Sequence, residues 1–261
     1  MAIQTVTKFE KLFFNVKSSV AQIALRNPPL NIIDIPMMDE LSSALAEIES
    51  KPELSVVVLR GKGNCFSAGV DVAAHTPDKV SSMLEKFHGV IRSLVTTRKV
   101  TIAAVQGHCL GGGAELAMVC DLVYTHEDAQ WGFPEIQLGC FPPVAAAALS
   151  ALVGQKHASD LILTGRPING IEAAKVGLAS RVVAAGQLEK TIDESIKSLS
   201  TLSPAALAVS KKAIYAWDSV HFDKGLARAE KIYLDELMQT EDAHEGISAF
   251  MEKRKPEWKG R

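Results

Sequence analysis

The stretch Gln106-Gly107-His108-Cys109-Leu110-Gly111-Gly112-Gly113-Ala114-Glu115-Leu116 constrains this chain more than any other. It follows Thr101-Ile102-Ala103-Ala104-Val105, which reads as a buried strand. It precedes Leu116-Ala117-Met118-Val119, which continues a helix. Three glycines therefore sit where strand gives way to helix, with a carboxylate one turn in. Glycine lets backbone approach a ligand closely and take dihedrals that a Cβ forbids. The first N–H groups of a helix lack internal partners and carry partial positive charge. Such a turn suits developing negative charge, with an acid or base beside it.

Two common glycine-loop readings fail here. A P-loop needs Lys-Ser/Thr after its last glycine, and this chain has Ala114-Glu115. A dinucleotide fingerprint starts at Gly111 and Gly113 but meets leucine at position 116. Glu115 also repels a phosphate. Ser67 in Cys65-Phe66-Ser67-Ala68-Gly69 resembles a nucleophile elbow, except that Cys65 stands where glycine is required.

The elements around the loop alternate. Leu12–Val16 and Val20–Leu25 flank Lys17-Ser18-Ser19 as a hairpin. Ile35, Met38, Leu41, Leu45 and Ile48 follow a helical period, with Asp34 before Pro36 as its start. Leu54–Leu59 is a short apolar, β-branched run, hence a buried strand. A second helical pattern runs from Pro77 to Val95, and Asp121–Tyr124 reads as another strand. Strand, helix, strand, helix predicts an α/β architecture with parallel pairing. From Ala145 onward the pattern is nearly all helical. Ser203-Pro204 is a good helix start, and Phe222, Leu226, Ala229, Ile232, Tyr233 and Leu237 form one apolar stripe. The softest boundary lies near 200–203, dividing an α/β body (1–200) from a helical tail (201–261).

Composition excludes several classes. A net charge of −2 with no basic run argues against nucleic acid and membrane surfaces. No apolar run spans a bilayer, and residues 1–10 lack a signal or transit pattern, so a cytoplasmic protein is expected. Cys65, Cys109, Cys120 and Cys140 form no C-x-x-C pair and read as buried thiols. The seven histidines show no H-x-x-x-H spacing, so no metal site is expected.

Two further segments fit the glycine loop. Phe66-Ser67-Ala68-Gly69-Val70-Asp71 follows the strand at 54–59 and is another strand-end backbone site. In a parallel sheet, neighbouring strand ends lie side by side where ligands bind. N–H groups near Ala68 and Gly112 then converge on one oxygen as an oxyanion hole. Trp131-Gly132-Phe133-Pro134-Glu135 sets a second carboxylate among apolar residues, which raises its pKa. Two carboxylates beside such a hole suit proton transfer next to a thioester carbonyl, one activating water and the other delivering a proton. Spacing alone leaves open the alternative that Glu115 and Glu135 are solvated surface groups.

Together these segments resemble the crotonase (enoyl-CoA hydratase/isomerase) superfamily, along with Cys120-Asp121, Phe133–Gly139, Leu163-Thr164-Gly165, Ala173–Ala179 and Ala249–Lys255. The resemblance runs over nearly the whole chain. It implies a spiral of ββα repeats with a C-terminal helical trimerisation region, assembled as trimers or as hexamers built from two trimers. It implies a coenzyme A thioester as substrate, with no separate cofactor. Ala68 and Gly112 take the oxyanion-hole positions, and Glu115 and Glu135 match the hydratase glutamates, which share a water and titrate together. Glu115 helps activate water for the β-carbon, and Glu135 exchanges the α-proton. Ser67, Gly69, Val70, Asp71 and Gly111 line the bound thioester. Phe250 and Lys253 match tail residues that approach the nucleotide of a neighbour's CoA. Relatives that isomerise or hydrolyse, and non-catalytic CoA- or RNA-binding relatives, are the alternatives.

One segment departs from the generic hydratase. Where the family shows a glycine-rich segment and Thr-Gln-Arg-Leu, this chain reads Phe141-Pro142-Pro143-Val144-Ala145. That string, with Val70–Pro77, is similar to cyclohexa-1,5-diene-1-carbonyl-CoA hydratases of anaerobic benzoyl-CoA degradation. These add water to a cyclic dienoyl thioester, giving 6-hydroxycyclohex-1-ene-1-carbonyl-CoA. Trp131, Phe133 and Phe141 are then expected as flat walls for a ring, with a straight-chain enoyl-CoA as the alternative substrate.

Overall fold

Alternation of buried apolar strands with amphipathic helices produces a stack of ββα turns in the computed structural model. It describes residues 9–215 and 219–261, with backbone only at 219–221. Most of the N-terminal stretch read for a leader therefore lies outside the described residues. The hairpin forms as expected, β1 (Leu12–Lys17) pairing antiparallel with β2 (Val20–Leu25). Helix α1 (Ile35–Glu49) starts where its cap says: the Asp34 carboxylate accepts the Met37 N–H at 3.0 Å, with proline in the first turn. Strand β3 (Val56–Gly61), α2 (Val80–Thr96), β4 (Val100–Val105), β5 (His108–Leu110) and α3 (Gly112–Met118) follow. Then come β6 (Leu122–His126), β7 (Gln130–Gly132), α4 (Pro143–Val153), α5 (Gln155–Thr164), β8 (Ile168–Asn169), α6 (Gly170–Lys175), β9 (Arg181–Val183) and α7 (Leu188–Ser200).

The large sheet has the order β1-β2-β3-β4-β6-β9, parallel beyond the hairpin. Its central strands are buried on both faces, which is why they read as unbroken apolar runs rather than alternating ones. Val57, Leu59, Ala103 and Val105 join the main core with α1 and α2, while Val56, Val58, Ile102, Ala104 and Tyr124 face Leu188 and Ile192 of α7. A smaller sheet, β5-β7-β8, forms the second layer. Single bridges Ile33↔Val70 and Ser67↔Cys109 extend that layer into earlier turns of the spiral. Each turn thus contributes one long strand, one short extended piece and a helix.

The chain closes with α8 (Pro204–Tyr215), α9 (Ser219–Asp235) and α10 (Glu241–Met251). Lys211 fixes α8 by an ion pair with Asp121 at 2.8 Å and a hydrogen bond to the Lys99 carbonyl at 3.0 Å. Helix α9 packs along α4, and α10 against the 3-10 turns at Val72–His75 and Pro134–Leu138. The last helix of the tail therefore backs the two 3-10 turns. Among the described residues no helix is long and apolar enough to cross a membrane.

Candidate active site

The glycine turn does what its position between strand and helix requires. Gly111 adopts φ 51°, ψ −128°, and α3 begins at Gly112. A Cβ on Gly111 would stand 2.5 Å from Glu135 Oε1, so only glycine lets that carboxylate lie against the turn. Gly112 abuts the preceding spiral turn: its Cβ would meet Val70 Cγ2 at 2.6 Å and the Val70 nitrogen at 3.4 Å. One cavity is bordered by Ala68, Gly69, Val70, Gly111, Gly112, Glu115 and Glu135, and by Phe87, Cys140, Phe141 and Tyr233. The glutamates are not solvated surface groups; Glu115 is buried, and Glu135 Oε2 is sealed from solvent.

The two carboxylates differ in their surroundings. Glu115 Oε1 accepts the Ala145 N–H at 2.9 Å. Ala145 lies in the first turn of α4, after Pro142 and Pro143, so Glu115 meets the positive end of a second helix. Burial pushes its pKa up to about 7, and the Ala145 and Val144 N–H groups hold it from rising further. Glu135 Oε2 has no hydrogen-bond partner among the described residues. Burial, and then the charge of Glu115, push the Glu135 carboxyl well above its usual range. Near neutral pH the pair therefore splits into one carboxylate and one carboxylic acid. Glu135 rides on the 3-10 turn Pro134–Leu138, which α10 backs closely: a Cβ on Gly246 would stand 2.2 Å from the Leu138 carbonyl.

The structure corrects the expected oxyanion pair. The Ala68 N–H donates to the Leu30 carbonyl at 2.9 Å, so it is spent on holding two spiral turns together. Strand-like alternation breaks at Gly69, whose φ is 109°. The Asp71 N–H then returns to Ile33 at 3.1 Å, while the Val70 and Gly112 N–H groups have no acceptor among the described residues. The free pair beside the glutamates is Val70 and Gly112.

Several other expected contacts fall elsewhere. Ser67 is fully buried; its hydroxyl donates to the Asn31 carbonyl at 2.8 Å and accepts the Gly69 N–H at 3.1 Å. It braces the loop and reaches neither substrate nor a base. The Asp71 carboxylate accepts the Ala73 N–H at 3.1 Å, capping a 3-10 turn rather than bordering the cavity. Trp131 and Phe133 are core residues with no exposed surface, and the Trp131 indole N–H donates to Thr125 Oγ1 at 2.9 Å. Neither borders the cavity; Phe141 does, edge-on to Tyr233 with centroids 5.3 Å apart. Phe250 and Lys253 lie exposed around the end of α10 and do not border the cavity of their own chain. The four cysteines are buried and unpaired with one another, and burial pushes Cys140 up to about 11 and Cys120 up to about 12. Sequence reasoning missed His75, His88 and Tyr233 as cavity residues. The Pro142-Pro143 helix start was the one readable sign of the donors that meet Glu115.

A ββα spiral whose glycine turn sets a helix N-terminus and a free N–H pair beside two buried carboxylates defines the crotonase class. Residues 15–261 match the model of the enoyl-CoA hydratase/isomerase family, and the chain belongs to that family. It is 35% identical over 251 residues to a cyclohexa-1,5-dienecarbonyl-CoA hydratase of Thauera aromatica, covering 96% of this chain and 97% of the relative. It is 38% identical over 257 residues to a probable enoyl-CoA hydratase of Rhizobium meliloti, covering 97% and 99%. Among solved structures, an enoyl-CoA hydratase from Mycobacterium avium subsp. paratuberculosis superposes with a TM-score of 0.87 at 26% identity, over 96% of this chain and 99% of that one. An enoyl-CoA hydratase/isomerase from Xanthobacter autotrophicus gives 0.87 at 29% identity, over 94% of each.

Proposed function

We propose that this protein hydrates an α,β-unsaturated acyl-CoA, with coenzyme A entering only as part of the substrate. The observation that carries the reading is the unlike pair, Glu115 and Glu135, on one cavity beside the free Val70 and Gly112 N–H groups. The two N–H groups receive the thioester oxygen and stabilise the enolate-like charge that develops on it. One such donor is worth about 2.7–4 kcal/mol of transition-state stabilisation. Glu115 accepts a proton from water as its oxygen bonds to the β-carbon. Glu135 gives its proton to the α-carbon, and exchange between the carboxyls restores the starting state.

This division of labour fixes the pH dependence. The base must be ionised and the acid protonated. We expect kcat/KM to rise with pH through about 7, where Glu115 loses its proton, and to fall again where Glu135 loses its own. A profile flat across that range contradicts the assignment.

For the acyl group, the reading is a cyclic dienoyl thioester, cyclohexa-1,5-diene-1-carbonyl-CoA. It is supported by likeness to the Thauera aromatica hydratase, by the Phe141-Pro142-Pro143 segment, and by the Phe141 and Phe87 rings bordering the cavity. The test is a side-by-side kcat/KM comparison. Greater activity on the cyclic dienoyl thioester supports it, and greater activity on crotonyl-CoA assigns a straight-chain substrate instead. Assembly as trimers or hexamers is part of the same proposal, supported by the exposed Val209 and Ile214 side chains of α8.

A further inference from the structure

Three buried polar atoms on the cavity residues have no oxygen or nitrogen partner among the described residues: Glu135 Oε2, His88 Nε2 and the Tyr233 hydroxyl. His88 is anchored through its other ring nitrogen, 2.6 Å from Glu230 Oε1. Tyr233 has only the Cys140 thiol beside its hydroxyl, a weak partner. It sits on α9 in the apolar stripe, 1% exposed, its ring held edge-on by Phe141. Phenylalanine would fill the same space, and a thiol is a poor substitute for the oxygen or nitrogen partner that a buried hydroxyl needs. Burial, then the Cys140 thiol and the charges of Glu135 and Glu115, push the phenol well above its ordinary range. Tyr233 is therefore a proton-bearing donor on the same cluster as the unpartnered acceptor Glu135 Oε2. One protonated oxygen between them answers both, accepting from Tyr233 and donating to Glu135.

We propose that Tyr233 is a further substrate-contacting residue, whose hydroxyl donates to the oxygen added at the β-carbon and selects β-hydroxyacyl thioesters over saturated ones. This rests on the hydratase reading, which places the added water beside the glutamates. A water whose two protons face the Glu115 carboxylate and the carbonyl oxygen of the protonated Glu135, and whose one lone pair accepts from Tyr233, has its remaining lone pair free for the β-carbon. Tyr233 thus aims the nucleophile rather than activating it.

The test compares binding of 3-hydroxybutyryl-CoA, each enantiomer, with butyryl-CoA by calorimetry, in the unaltered protein and in Tyr233→Phe. These ligands differ only in the hydroxyl. The unaltered protein is expected to favour one hydroxy enantiomer about tenfold, and Tyr233→Phe to bring the ratio near one by weakening that ligand alone. Its Tm is expected to stay level or rise, since a buried hydroxyl with only a thiol beside it is removed. An unchanged ratio, or equal loss for all ligands with a lowered Tm, overturns the proposal. Turnover separates the two readings. Hydration of either enoyl thioester with an unchanged ratio sinks the Tyr233 role alone. A collapsed ratio in a protein that hydrates neither crotonyl-CoA nor the cyclic dienoyl thioester sinks the hydratase reading and leaves the binding contact.

Discussion

Glu135→Gln is expected to lower kcat by about 10²–10⁴, the usual worth of a positioned acid or base, while affinity for a saturated acyl-CoA stays within a few-fold. Glutamine matches the shape of a protonated glutamate but has no proton to give to carbon. The thioester contacts are spared, because the free N–H groups belong to Val70 and Gly112. Glu115→Gln is expected to fall as far for the opposite reason. Its amide oxygen still accepts the Ala145 N–H, now at 2.9 Å from Glu115 Oε1, but it no longer accepts a proton from water. Steady-state kinetics and calorimetry with butyryl-CoA check both. If both variants keep ordinary turnover, the two-carboxylate mechanism is wrong.

The second large effect is expected from Gly111→Ala. Its Cβ would stand 2.5 Å from Glu135 Oε1, on backbone at φ 51°. A side chain in that conformation costs about 1–3 kcal/mol, and the carboxylate must also move. Displacement of a reacting group by about 1 Å can cost about 10²-fold in rate. Gly111→Ala should therefore lower both Tm and kcat, with kcat down by about that factor. Gly113→Ala is the control. Its Cβ would meet the Ser67 carbonyl at 2.7 Å and Ser67 Cβ at 2.8 Å, away from Glu135. It should lower Tm with a smaller loss of kcat. Equal turnover losses in the two would show that strain alone, not the glutamate's seat, limits the rate.

Much of this was legible because local rules and the global fold agree. The Asp34 cap, the hairpin and the strand leading into three glycines all appear where the residue pattern puts them. Glu115 and Glu135 stood out beside a glycine turn and amid aromatics, but spacing left open whether they meet; the family resemblance paired them, and one cavity is bordered by both. The Ala68 assignment failed for a definite reason. Counting along an extended segment assumes that N–H directions alternate, and Gly69 at φ 109° breaks that alternation. Trp131 and Phe133 misled because an aromatic side chain shows its type in sequence but not which face of a short strand it takes. Tyr233 was hidden by the reverse effect: at helical spacing among apolar residues, a tyrosine looks like core.

The α4 N-terminus behind Glu115 has a wider consequence. The two glutamates are the same residue type, and what tells them apart is the pair of peptide groups at Val144 and Ala145. The division between proton taker and proton giver is thus written in main chain, at the start of α4. Starting that helix one residue earlier or later would change the acidity of Glu115 with both glutamates kept in place.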